Sequence, residues 1–295
     1  MVGESRLGKV YVIVIFLLPS LVGLVAFNVI PIIHSIYASL TEWDLITPAK
    51  FIGIENYLGI FQDENSVKGM INTFKFVGGY IPLALFLSLI FAALLDMKLR
   101  WIKLYRALFF VPVIISWVVV SLIWLWLFNS DTGLINYLLS MLGIQGPMWL
   151  QDESTAMLAV IIASLSKDLG YFTIILLSGL QGISDEYYES ADIDGANAFQ
   201  KFFKITIPCL TPILFFVLVI LLITSLQVFD QVYVMTGGGP YGSTRTLVLE
   251  IYDNAFQLNK AGFACAQAWF LVIIIWIVTV SQNKLQKRWV HYDSI

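Results

Sequence analysis

Two adjacent charges, Lys167 and Asp168, interrupt an apolar run over residues 155–180 and have the strongest claim to chemistry in this chain. A charge at the centre of a bilayer costs about 2.5–3.5 kcal/mol on insertion scales, so each needs a partner or water. Neighbouring helix positions point about 100° apart at 3.6 residues per turn, so the two do not simply neutralise each other. Three assignments stay open: a structural pair with neighbouring helices or a partner chain, a polar wall of a solute path, or a tilted helix that brings both near a surface. Ser166, Gly170 and Thr173 fall at i, i+4 and i+7, one helix face, where Gly170 would open space and Tyr171 lies beside it. Farther along, Ser225, Gln227 and Asp230 sit near Phe229 and Tyr233. Hydrogen-bonding side chains beside aromatic rings suit a sugar, and equally an oligosaccharide or a glycerol phosphoester. The absence of a second intramembrane Lys or Arg argues against a strongly anionic solute.

The other chemical candidates fail on context. Gly3 to Lys9 has the glycine–lysine spacing of a phosphate-binding loop, but Val10 stands where the hydroxyl residue belongs and an apolar run follows. Gly237-Gly238-Gly239-Pro240-Tyr241-Gly242 matches G-x-G-x-x-G, yet a dinucleotide site needs a strand before it and a helix start after it. It reads instead as a sharp turn. Cys209 and Cys265 are the only cysteines, and His34 and His291 the only histidines, without metal-ligand spacing. No nucleophile–base set and no ATPase apparatus is visible, so uphill movement would draw on an ion gradient or on a partner chain.

The elements that must position these residues are membrane helices. Of the 295 residues 59% are hydrophobic and only 13% charged, against roughly 25% charged in soluble domains. Mean hydropathy is +0.83. A net charge of −3 gives no support for nucleic-acid binding. Runs without a charge cover residues 10–33, 76–95, 107–128, 209–229 and 261–281, and with 155–180 they predict six transmembrane helices. The first run is too long for a signal-peptide core and lacks a prompt cleavage site, so it reads as a retained helix. Arg6, Lys9, Lys98, Arg100, Lys103, Arg106, Lys201, Lys204, Lys284, Lys287 and Arg288 lie in one alternate set of connections. Lys50, Lys68, Lys75, Arg245 and Lys260 lie in the other. The positive-inside rule makes the first set cytoplasmic, with both termini inside. Trp124, Trp126 and Phe128 then read as one interfacial aromatic belt, and Trp101, Tyr105, Trp289 and Tyr292 as the other.

Residues 182–208 form the longest inner connection. Ser184-Asp185-Glu186 is a helix cap followed by acids that suit the helix dipole. Gly195 allows a sharp bend or a close approach by another surface. A second helical piece over 196–204 leads to Pro208, read as the boundary before the fifth span. On these grounds a docking hairpin and a solvated connecting loop are equally supported.

Glu189-Ser190-Ala191, then Gly195, then Ile205 and Ile207-Pro208 resemble the EAA motif, E-A-A-x3-G-x9-I-x-L-P, of permease subunits of binding-protein-dependent ABC importers. Ser190 and Ile207 depart from it, both conservatively. Ile193-Asp194-Gly195-Ala196, and Phe229 to Thr236 with the glycines after it, are similar to the sugar-importer branch, the MalF- and UgpA-like permeases. Residues 34–75 are too few for the large external insertion that some of these carry. The resemblance covers residues 68–282 well, with 1–67 as a first helix and external segment and 283–295 as a cytoplasmic tail.

The resemblance implies an all-α polytopic protein with the type I ABC importer permease fold in a prokaryotic cytoplasmic membrane. It implies that Glu189, Ser190, Ala191, Asp194, Gly195, Ile205 and Pro208 belong to a coupling loop against an ATPase. The implied partners are a second homologous permease, an ATPase dimer that holds ATP and Mg, and an extracellular or periplasmic solute-binding protein, with lipid around the chain. The chain itself would bind no cofactor and catalyse no reaction. The rival from another class is an ion-coupled secondary transporter, although no internal repeat is evident.

Overall fold

The computed structural model describes residues 6–97 and 100–290. Lys98, Tyr292, His291 and Gly3 to Ser5 lie outside them. The chain runs α1 (Arg6–Leu24), α2 (Ile30–Ser39), a two-stranded antiparallel pair β1 (Thr41–Glu42) and β2 (Lys50–Phe51), α3 (Glu55–Gln62), α4 (Glu64–Asp96), α5 (Ile102–Ile114), α6 (Trp117–Leu127), α7 (Leu134–Met141) and α8 (Glu153–Leu180). It continues through α9 (Asp185–Ile193), α10 (Ala198–Lys201), α11 (Ile207–Leu226), α12 (Asp230–Met235), α13 (Leu247–Tyr252) and α14 (Ala261–Leu285). Among the described residues, five helices are long and apolar enough to cross a membrane, or six when the bent pair α5–α6 counts as one span.

Three expected boundaries are corrected. The run 107–128 is two helices meeting at 98°, because Ile115 and Ser116 adopt extended backbone and the Ser116 hydroxyl caps α6 at Val119 N. Pro112 weakens the turn before the break. The successive contacts of the pair step along about one turn of α8 towards the N-terminal end of that helix. Gly170 meets Phe109, Lys167 meets Val113, and Ser166 meets Trp124. Pro208 is not a boundary either. A π turn over Phe202–Thr206 joins α10 to α11, and Pro208 stands at the start of α11. The first span has the same device, a π turn over Val25–Val29 ahead of Pro31. Widening the turn makes room for a ring that would clash with the carbonyl four residues back. The second span starts at Glu64 rather than 76, capped by the Asp63 carboxylate, so Lys68 and Lys75 ride on a helix rather than a loop.

The described residues form two compact units, one up to residue 62 with 251–270, the other of 63–250 with those from 271. In the first, Asn56 donates to the carbonyls of Ser39 and Thr41, and the Trp269 indole donates to the Ser35 hydroxyl. In the second, α4, α8 and α11 enclose the core around Phe76, Tyr80, Leu176, Leu210 and Leu221. Fully buried Ala84, Ala92, Ala159 and Ala163 let backbones approach, as packing in lipid requires. Two buried serines turn back on their own helices: Ser88 donates to Ala84 O and Ser164 to Val160 O. Trp124 and Phe128 belong to a small cluster with Ala163 and Met235 rather than to the expected belt, while Trp126, Trp101 and Tyr105 are exposed as expected.

Candidate functional site

A polar cavity of about 90 Å³ opens where α11 stops. Leu226 ends the helix, Phe229 leaves helical geometry at φ −142° and ψ −66°, and Asp230 starts α12. That interruption turns Thr224, Ser225, Gln227, Asp230 and Gln231 towards Asp168 of α8. Phe76 and Tyr80 of α4, Trp117 of α6 and Phe229 supply aromatic walls. Tyr80 Oη donates to Asp168 Oδ2 at 2.6 Å, and the Phe76 and Tyr80 rings stack at 5.1 Å. Gln231 Nε2 donates to Ser164 Oγ at 3.1 Å.

Of the expected path residues, Asp168, Ser225, Gln227 and Asp230 therefore come together at one place. The others lie outside the lining of this cavity. Lys167 Nζ donates to the Val113 carbonyl at 3.0 Å and lies 5.0 Å from the Trp117 ring centroid. The α5–α6 break strips the last carbonyls of α5 of helical partners, and a cation at that C-terminal end meets the negative end of the helix dipole. Lys167 and Asp168 thus take partners from different elements, as their angular separation requires. Ser166 accepts from Trp124 Nε1 at 2.7 Å and holds α6 to α8. Gly170 does not open space for a solute: its bare Cα faces the Phe109 carbonyl of α5, and a Cβ there would collide with it. Thr173 is fully buried, with no partner for its hydroxyl among the described residues. Tyr171 is 39% exposed and meets Phe172 edge-on.

Sequence reasoning missed Phe76, Tyr80, Trp117, Thr224 and Gln231. Tyr80 carried a usable signal, a phenol within an otherwise apolar run. Trp117 carried a weaker one, the Pro112 to Ser116 stretch that breaks and then caps a helix.

The second candidate is the hairpin 182–208. Ser184 Oγ accepts from Glu186 N at 3.3 Å and starts α9. Gly195, at φ +74°, ends it with two bonds of a Schellman motif: Ala196 N to Ala191 O at 2.9 Å and Gly195 N to Asp192 O at 3.0 Å. Asn197 and Gln200 then form a reciprocal capping box that opens α10. An ion pair between Asp192 and Lys201 ties the two arms, and Tyr188 and Thr206 hydroxyls bond at 2.9 Å. Glu189, Ser190, Asp194 and Gly195 are exposed together, beside Ile193 at 87% and Phe199 at 72% exposure. Ala191, Ile205 and Pro208 are half-buried, Ile205 in the π turn that carries the hairpin into α11 and Pro208 at the start of that helix.

The family described as binding-protein-dependent transport system inner membrane component matches residues 81–291. The chain belongs to this family. It is a multi-pass membrane protein of the ABC importer permease class. A probable ABC transporter permease protein, YesP of Bacillus subtilis, is 37% identical over 284 residues, covering 95% of this chain and 91% of that protein. The trehalose/maltose transport system permease protein MalF of Thermococcus litoralis is 32% identical over 283 residues, covering 96% and 94%. Among solved structures, a bacterial alginate ABC transporter in complex with alginate pentasaccharide-bound periplasmic protein contains a chain of the same fold. Its TM-score is 0.84, with 22% identity and 95% of both chains covered. As a permease of this family, the chain needs a site that meets a solute and a surface that meets the rest of the machine, and it has a candidate for each.

Proposed function

We propose that this chain is one transmembrane subunit of an ATP-driven importer of a sugar, oligosaccharide or related polyol. It forms half of the translocation path and is coupled to ATP hydrolysis through the hairpin 182–208. Residues 68–282 make up the transport domain. Both termini and the hairpin face the cytoplasm, with 1–67 contributing a first span and an external segment. A second, homologous permease completes the path, a solute-binding protein delivers the solute, and an ATPase dimer holds ATP and Mg. The chain itself catalyses nothing.

The observation that carries the solute class is the cavity: carboxylates, amides and hydroxyls set among Phe76, Tyr80, Trp117 and Phe229. Aromatic faces pack on the apolar faces of a sugar ring while the polar groups take its hydroxyls. The sugar and trehalose/maltose permeases among the relatives support the same class. Docking is supported by the hairpin, whose exposed apolar residues and surplus of acids suit a basic, partly apolar cleft.

Co-purification and transport test the reading together. A tagged chain should bring down an ATPase, and the assembly should take up radiolabelled sugar only with ATP and loaded binding protein. Uptake on an ion gradient in ATP-free vesicles, without an associated ATPase, would establish a secondary transporter instead.

A further inference from the structure

The connection 129–152 carries an unpartnered apolar face. Leu134, Tyr137, Leu138 and Met141 fall at i, i+3, i+4 and i+7 of α7, and they are 42%, 57%, 52% and 64% exposed. Leu142, Ile144 and Met148 extend the same exposure at 75%, 52% and 62%. Asn136 is turned inward: it donates to the Ser130 and Pro147 carbonyls and accepts from Trp149 Nε1 at 2.8 Å. Ile135 and Trp149 pack on the Phe128 cluster, so this helix is held firmly with its apolar side out.

We infer that α7 is an interfacial helix whose apolar face is buried in the outer leaflet of the bilayer. Two observations select lipid as the occupant. Residues 132–151 contain no Asp, Glu, Lys or Arg, whereas the other two external connections, 40–63 and 230–260, are dotted with charges. A water-facing segment of that length without a charge is unusual, and a segment at the headgroup level is not. The face is also continuous with a membrane-facing one. Trp126, 57% exposed at the end of α6, borders the same cleft of about 640 Å³ as Leu134 and Tyr137. Trp and Tyr are the residues enriched at membrane–water interfaces. The cleft's hydroxyls and Asp131 lie where headgroups and water would fill it. The assignment to the outer leaflet rests on the orientation proposed above.

The test uses the assembled transporter in lipid nanodiscs, with nitroxides attached at Leu138→Cys, Met141→Cys and, as a water-facing control, Asp131→Cys. Accessibility to oxygen and to a water-soluble nickel chelate is measured with and without loaded binding protein. A lipid-buried face gives an oxygen-to-nickel ratio several-fold higher at 138 and 141 than at 131, unchanged by the binding protein. Nickel access at 138 and 141 that disappears on adding binding protein would overturn the inference and make α7 a docking surface for that protein. Shielding from both reagents would overturn it in favour of contact with the second permease. ATP hydrolysis stimulated by loaded binding protein is assayed on the same samples, so its loss counts against the functional reading and not against the helix placement.

Discussion

Gly195 carries the most direct test of the coupling hairpin. At φ +74° it occupies the left-handed region, where a residue with a Cβ costs about 1–2 kcal/mol. No steric cost adds to this, because nothing lies within 4 Å of the position a Cβ would take. In the isolated chain Gly195→Ala should therefore lower the equilibrium constant for the bent hairpin by about 5–30-fold without disturbing the membrane core. Asn enters the left-handed region more readily, so Gly195→Asn should keep the Schellman end of α9. Gly195→Asp adds a charge to a tip that already exposes Glu189 and Asp194. Placed against a close-packed ATPase surface, it should abolish solute-stimulated ATP hydrolysis and uptake. The assay measures three quantities on each variant: uptake, ATP turnover with loaded binding protein, and folded permease in the membrane. Folded permease should stay near the wild-type amount throughout, because this bend lies outside the bilayer. ATP turnover by Gly195→Asp at the wild-type rate would refute the coupling role. Equal failure of the Asn and Ala variants would show that close approach by the ATPase, and not the bend, is what glycine provides.

Glu189→Lys reverses an exposed charge on the same surface and should lower ATPase co-purification, with recovery by a compensating acid on the ATPase as the check. Lys167→Met removes a hydrogen bond from a charged group to the Val113 carbonyl, with a loss of about 1–2 kcal/mol in a membrane setting. Thermal unfolding in detergent should reveal it, and an unchanged midpoint would deny Lys167 its part in holding the α5–α6 break. Gly170→Ala drives a Cβ into the Phe109 carbonyl and should cut the yield of folded protein, whereas Gly78→Ala meets open space and should be neutral or stabilising. Asp168→Asn together with Tyr80→Phe leaves the hairpin intact, so uptake should fall while ATPase co-purification persists. Thiol labelling of Lys50→Cys from outside and Asp194→Cys from inside, in a chain freed of Cys209 and Cys265, checks the orientation; reversed accessibility would invert it.

Much was determined by residue order alone, for a physical reason. In lipid every backbone group must bond within its own segment, so charge-free runs such as 209–229 have one outcome, a helix. Local chemistry was equally legible on the hairpin. Ser184 followed by Asp185 and Glu186 caps α9, and Gly195 ends it, because caps and left-handed turns depend on neighbours a few residues away. What only the tertiary structure decided is non-local. Periodicity placed Ser166, Gly170 and Thr173 on one face but could not say what that face meets; Gly170 meets Phe109 of α5 and Ser166 meets Trp124 of α6. Lys167 and Asp168 are adjacent in the chain, yet one reaches a carbonyl exposed by a helix break 54 residues away and the other a phenol 88 residues away. The cavity exists because α11 stops at Leu226 beside α4, α6 and α8. No window of sequence contains those four elements together, so Tyr80 and Trp117 became visible as its walls only once the helices were packed.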